Sequence, residues 1–205
     1  VFGWIPTKAG NRDSGNIDWA GNLVAHELTA DAQGQLNSIL PQELQKVISE
    51  NPGPETTLTS TKTLKTDTSF GPLQSALYTA LPERGELSGT IDVPSAGMVM
   101  SFGLTDDRVS DAMLNVVFNK SKGKVYFFNA PLASIHQANA ESWVDIPIGE
   151  KIELRVLIQN SIAVFYINNK VAFSTRMYSM QEKPWSISLP QNDHFHATLK
   201  IKEMI

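Results

Sequence analysis

Cysteine is absent from all 205 residues. That excludes a disulfide framework and any thiolate metal site, but a cysteine-free chain is tolerated on either side of a membrane. A basic surplus is missing too: 17 basic residues stand against 21 acidic ones, a formal net charge of −4. This balance argues against nucleic-acid binding, which calls for a basic stripe. No apolar run approaches the roughly 20 residues needed to cross a bilayer. There is no Gly-rich phosphate loop and no G-x-S-x-G elbow for a serine nucleophile. The opening "VFGWIPTKAG" has no methionine and no charged-then-apolar leader. Val1-Phe2 reads as the middle of a strand, so the expectation is a piece of a longer protein.

What is there is strand. Hydrophobic residues at 41% and charged residues at 19% suit an ordinary globular protein. Gly, Pro, Asn, Asp and Ser keep the apolar runs short. Runs such as "GELSGTIDV", "GMVMSFGL", "MLNVVF", "KVYFFNA", "KIELRVLI", "AVFYIN", "VAFSTRMY", "WSISL" and "HATLKIK" are rich in Val, Ile, Phe, Tyr and Thr. In Lys151 to Ile158, Ile152, Leu154, Val156 and Ile158 share one face, with Lys151, Glu153 and Arg155 on the other. At the end of the chain Phe195, Ala197, Leu199 and Ile201 oppose His194, His196, Thr198 and Lys200. Many short antiparallel strands with one polar face predict an all-β fold, a two-sheet β-sandwich of the concanavalin or lectin type.

Only "PQELQKVISEN", from Pro41, reads as helical: proline suits a first turn, and Leu44, Val47 and Ile48 share one side. The Pro-, Gly- and Thr-rich "ENPGPETTLTSTKT" reads as a linker or boundary. The chain therefore divides into 1–38, a few strands; 39–55, a short helix and linker; and 56–205, the sandwich. The first part is too small to hold a core alone.

Two anchors carry a family resemblance. Gly3-Trp4 is followed by Trp19-Ala20-Gly21 and then "NLVAHEL", with Glu27-Leu28. The hairpin "RVLIQNSIAVFYINNKVAFSTRMY" offers Gln159, Ser161, Val164, Tyr166 and Asn168, then Ser174-Thr175-Arg176 and Tyr178. In this order they resemble the C-terminal end of family 32 glycoside hydrolases, the β-fructosidases related to invertase, levanase and inulinase. His26 stands where that family usually has arginine. Gln159 and Val164 replace its usual acidic residues, which marks a divergent member. The Asn168-Asn169 pair suits the hairpin turn.

The resemblance implies that residues 1–38 are the final strands of a five-bladed β-propeller and that 56–205 are the C-terminal sandwich. The propeller would hold the two carboxyl groups of a retaining glycosidase. Their motifs are missing from this chain, so no catalytic residue is assigned to it, and no cofactor. Arg12-Asp13 lacks the proline of the family's sugar-binding motif and comes in the wrong order. Trp4 is the candidate substrate-binding residue. It either packs within the propeller or covers the apolar face of a sugar, its indole N–H donating one hydrogen bond. Trp19, before the small Ala-Gly pair, reads as packing.

His194 and His196 share a face without an evident third ligand, so no metal is assigned. Asn11, Asp13 and Asp18 around Gly15 lack calcium-loop spacing and read as a polar loop; Asp106, Asp107 and Asp111 read as a solvated turn beside Arg108. The partners implied are carbohydrate, a fructan or sucrose-like sugar, and the upstream propeller. The family's polysaccharide-acting members place it outside the cell or in the periplasm. A stand-alone lectin-like carbohydrate-binding module is the alternative.

Overall fold

The computed structural model describes residues 1–13, 15–51, 53–68, 71–93, 97–102, 114–130, 138–143, 151–178, 184–191 and 196–204. Seven antiparallel strands form one sheet in the order β12-β11-β10-β9-β16-β7-β6. These are β6 (Lys62–Thr68), β7 (Gly71–Tyr78), β9 (Met98–Phe102), β10 (Leu114–Asn119), β11 (Lys124–Phe128), β12 (Ala140–Trp143) and β16 (Trp185–Pro190). The second sheet runs β15-β14-β13-β8-β17-β5, from β5 (Glu55–Leu58), β8 (Arg84–Asp92), β13 (Lys151–Gln159), β14 (Ile162–Ile167), β15 (Val171–Arg176) and β17 (Ala197–Glu203). The sandwich expected from the alternation is present.

Its core forms where the two apolar faces meet. Ile152, Leu154, Val156 and Ile158 all point inward from β13, as their spacing of two requires. Opposite them, Trp185 stacks between Tyr78 (ring centroids 4.5 Å apart) and Phe102 (5.4 Å). Strand β8 passes close to β17 only because residue 89 is glycine. Its φ is +152°, and an added Cβ would stand 1.9 Å from the Thr198 carbonyl oxygen.

Strand β14 is buried on both faces. Ala163, Phe165 and Ile167 belong to the main core, whereas Val164 and Tyr166 join Leu40 and Ile48 in a second cluster outside the sheet. The cover there is α1 (Gln42–Glu50), followed in space by an N-terminal hairpin of β1 (Phe2–Lys8) and β2 (Ile17–Ala25). A smaller hairpin, β3 (Glu27–Ala30) with β4 (Leu36–Ile39), leads into the helix. In β1–β2, Trp4 lies opposite Leu23 and Ile5 opposite Asn22. Gly21 permits the close pairing, since a Cβ there would meet the Ile5 carbonyl oxygen at 2.1 Å.

Two expectations are corrected. The segment read as a linker contains β5, paired to β17, and the start of β6. Its Thr-rich run forms a largely exposed strand at the sheet edge, where a polar composition guards against further pairing. Trp19 is not packed within this chain: it is 92% exposed, and Ala20 beside it turns through a φ of 72°.

Candidate functional site

The N-terminal hairpin is held to the sandwich by a buried cation. Arg176 ends the edge strand β15 and is 8% exposed. Its Nε donates to the Pro6 carbonyl at 3.0 Å, and its Nη1 to Ser161 Oγ at 2.8 Å. Its Nη2 donates to the Ile5 carbonyl at 3.4 Å and to Asn22 Oδ1 at 2.5 Å. All four acceptors are neutral oxygens, so the guanidinium fork acts as a clamp on two backbone carbonyls of an edge strand.

Neighbouring contacts repeat the connection. His26 Nε2 lies 3.1 Å from Ser174 Oγ, and its Nδ1 lies 3.3 Å from the Tyr166 hydroxyl. Burial holds the imidazole below its ordinary pKa. Burial also pushes the Tyr166 phenol up to about 12, against the pull of Arg155. The Lys8 N–H donates to the Tyr178 hydroxyl at 3.1 Å, and the Tyr178 N–H donates to Asp13 Oδ1. Glu27 Oε2 accepts from the Gln42 N–H at 2.9 Å, placing a carboxylate on the first turn of α1. The two stretches that carried the resemblance thus touch each other across more than 140 residues of chain.

Beside this clamp lies a cleft of about 520 Å³, within the size range of small-molecule sites. It opens between the hairpin, the end of β11 and the edge of β15. Phe127 and Phe173 stack there with centroids 3.8 Å apart. Trp4, Lys8 and Asp13 face them from the hairpin, and Asn129 and Thr175 complete the polar wall. Lys8 Nζ donates to the Asp13 carbonyl at 2.9 Å. Burial lowers its pKa, while Asp13 raises it.

Trp4 is 62% exposed. It shares a face of the hairpin with Phe2 and Leu23, which are 72% and 68% exposed. The other face carries Ile5, 5% exposed, and Val24, which packs on the second cluster. The hairpin is therefore apolar on both sides but covered on one.

A family model described as GH32, BT1760-like, C-terminal domain matches residues 36–195. The chain belongs to that family. The matched segment begins in β4 and takes in α1 and most of the sandwich, leaving β1–β3 and β17 outside. No curated protein matches. Among solved structures, an exo-inulinase from Aspergillus awamori is 11% identical over 100% of this chain and 40% of its own, with a TM-score of 0.61. A sucrose-6-phosphate hydrolase from Lactobacillus gasseri is 17% identical over 92% of this chain and 35% of its own, with a TM-score of 0.59. At these identities the likeness establishes the fold, and this member of GH32 spans little more than a third of either enzyme.

Among the described residues, the remaining candidates from the sequence are brought to no common metal site. His196 is exposed, its carbonyl accepting from the Asp92 N–H. His194, Asp106, Asp107, Arg108 and Asp111 lie outside the described residues. Among the described residues, no three His, Cys, Asp or Glu side chains are grouped to hold a metal ion. Asp18 accepts from the N–H of Trp19, and Asp13 is bound to Tyr178. Sequence reasoning named Thr175 only within the Ser174-Thr175-Arg176 anchor and missed Lys8 and Asn129. The three come from distant segments, and the only signal for their meeting is the Arg176 motif that fixes the hairpin beside β15.

Proposed function

We propose that this chain is the C-terminal part of a β-fructosidase-like glycoside hydrolase. In this reading the sandwich is a buttress for a catalytic β-propeller, and residues 1–38 are the propeller's last strands. The full enzyme hydrolyses fructosyl linkages, in sucrose, levan or inulin, with net retention, and Trp4 is the residue of this chain that meets the sugar.

The observation that carries the reading is the one-sided hairpin. Arg176 grips its β1 carbonyls and Ile5 is buried, while Phe2 and Leu23 of its outer face meet solvent. A contiguous apolar strand face of this kind marks an interface, and in a propeller that interface is the preceding strand or blade. Support of a coarser kind comes from GH32 membership and from the two enzymes that share this fold over 35% and 40% of their chains.

The test is to incubate the full-length protein with sucrose, inulin and levan and follow fructose release and its anomeric configuration. The expected result is release of β-fructose from at least one of them. Intact substrate in all three would overturn the proposal.

A further inference from the structure

We infer that His26 is a proton-sensitive latch, holding the N-terminal hairpin tightly to the sandwich at neutral pH and loosening its hold in mild acid. Arg176 keeps the hairpin attached, and His26 sets how tightly. The inference concerns the joint itself and does not rest on the proposed activity.

His26 stands at the open end of the hairpin, where β2 passes into β3. Its N–H donates to the Val1 carbonyl, and its own carbonyl accepts from the Val1 ammonium, both at 2.8 Å. Its backbone thus closes the β1–β2 ladder. Its half-buried ring bridges two strands of the sandwich, through Nδ1 to the Tyr166 hydroxyl on β14 and through Nε2 to Ser174 Oγ on β15. The His26 and Tyr166 rings meet edge to face with centroids 5.7 Å apart.

Counting protons shows why this bridge responds to acid. Among the described residues, neither hydroxyl has another hydrogen-bond partner. A neutral imidazole has one N–H and one lone pair. Tyr166 is 2% exposed, so the arrangement that leaves no buried proton idle has its O–H donating to Nδ1, while Nε2–H donates to Ser174. A second ring proton would sit on Nδ1 and take that lone pair away. The Tyr166 hydroxyl proton would then be buried without an acceptor, a penalty of about 1–3 kcal/mol.

No carboxylate offsets the added charge. Glu27 on β3 is committed to the Gln42 N–H, and Glu43 belongs to the first turn of α1. The nearby cations are the Val1 ammonium, Arg176 on β15 and Arg155, whose charge acts on Tyr166. The lowered imidazole pKa agrees with these surroundings. The packed joint therefore binds the proton less readily than the lifted hairpin does. Its hold is complete above the ordinary imidazole value near 6.5, weakens as pH falls below that value, and levels off once the packed form is itself protonated. An arginine in this place would stay charged throughout.

The experiment is native-state hydrogen exchange of the 205-residue chain between about pH 7.5 and about pH 5.5, a window above the carboxylate range. Protection is expressed relative to the intrinsic rate at each pH. Protection of the β1 and β2 amides should fall about fivefold across the window, within the tenfold per pH unit that one proton allows, while β8 and β13 keep theirs. His26→Gln retains one donor and one acceptor but does not titrate, so its hairpin protection should stay level. That variant also keeps the Val1 ammonium and Asp13, so a loss that survives in it is not the histidine's. In the parent alone, the His26 Cε1–H resonance should titrate with a midpoint below about 6.5.

Hairpin protection that does not change with pH in the parent would overturn the inference. So would an equal loss in His26→Gln, an equal loss in β8 and β13, or a ring midpoint at or above the ordinary value.

Discussion

Replacing Arg176 with methionine would release the hairpin while leaving the sandwich folded. Methionine retains most of the apolar stem volume and removes all four donated hydrogen bonds. Hydrogen bonds involving a charged group contribute about 1.5–3 kcal/mol each. Against that gross gain stands the desolvation of a guanidinium, still several kcal/mol after relaxation. The four vacated oxygens also regain water once the hairpin lifts. The net loss should fall near 3 kcal/mol, or about two powers of ten in the opening equilibrium.

Native-state hydrogen exchange reads this directly. Amides of β1 and β2 should lose about a hundredfold of protection, while those of β8 and β13 keep theirs. Arg176→Lys should recover only part of the loss, since a compact ammonium cannot span four acceptors arranged around a planar fork. Unchanged protection in β1–β2 would refute the clamp. So would an equal loss in β8 and β13, because that would place Arg176 in the global core rather than at a joint.

Gly89→Ala should unfold the sandwich or lower its stability by more than about 3 kcal/mol, because the new Cβ meets the Thr198 carbonyl oxygen at 1.9 Å in a backbone conformation alanine resists; a thermal melt within a few degrees of the parent would contradict this. The raised Tyr166 pKa of about 12 gives a signed pH dependence. Its contribution is complete below the ordinary phenol value near 10, and it is lost as pH climbs toward the folded value. Tyr166→Phe should therefore flatten the alkaline decline in denaturation midpoint between those limits, and an unaltered slope would count against it. Phe2→Ser combined with Leu23→Ser should reduce binding of an apolar dye to the isolated chain without moving its melting temperature, since both side chains already face solvent.

Much of the sandwich was readable from period alone. Alternation in Lys151–Gln159 returns as strict alternation of burial, and Ala197, Leu199 and Ile201 pack toward the core from β17. The helix from Pro41 also stands where proline and the Leu44, Val47 and Ile48 stripe place it. Period says less where a strand is covered on both faces. In β14, Val164 and Tyr166 are as buried as their neighbours because α1 and the hairpin roof them, and only tertiary contact reveals the roof. Edge strands were hidden for the opposite reason: β5 has almost no buried face, so its sequence has the polar character of a loop. The cleft was least legible, since Lys8, Asn129 and Thr175 sit on segments with no shared spacing. Arg176 was visible as part of a motif, but its task depends on carbonyls, and carbonyls leave no mark on a sequence.

The make-up of that clamp bears on the surroundings the molecule tolerates. Its cation leans on dipoles instead of on an opposing ion. Brine has no ion pair there to shield, and mild acid has no paired carboxylate at the guanidinium to neutralise. A joint of this kind should stay shut in saline media that would loosen one made of salt bridges.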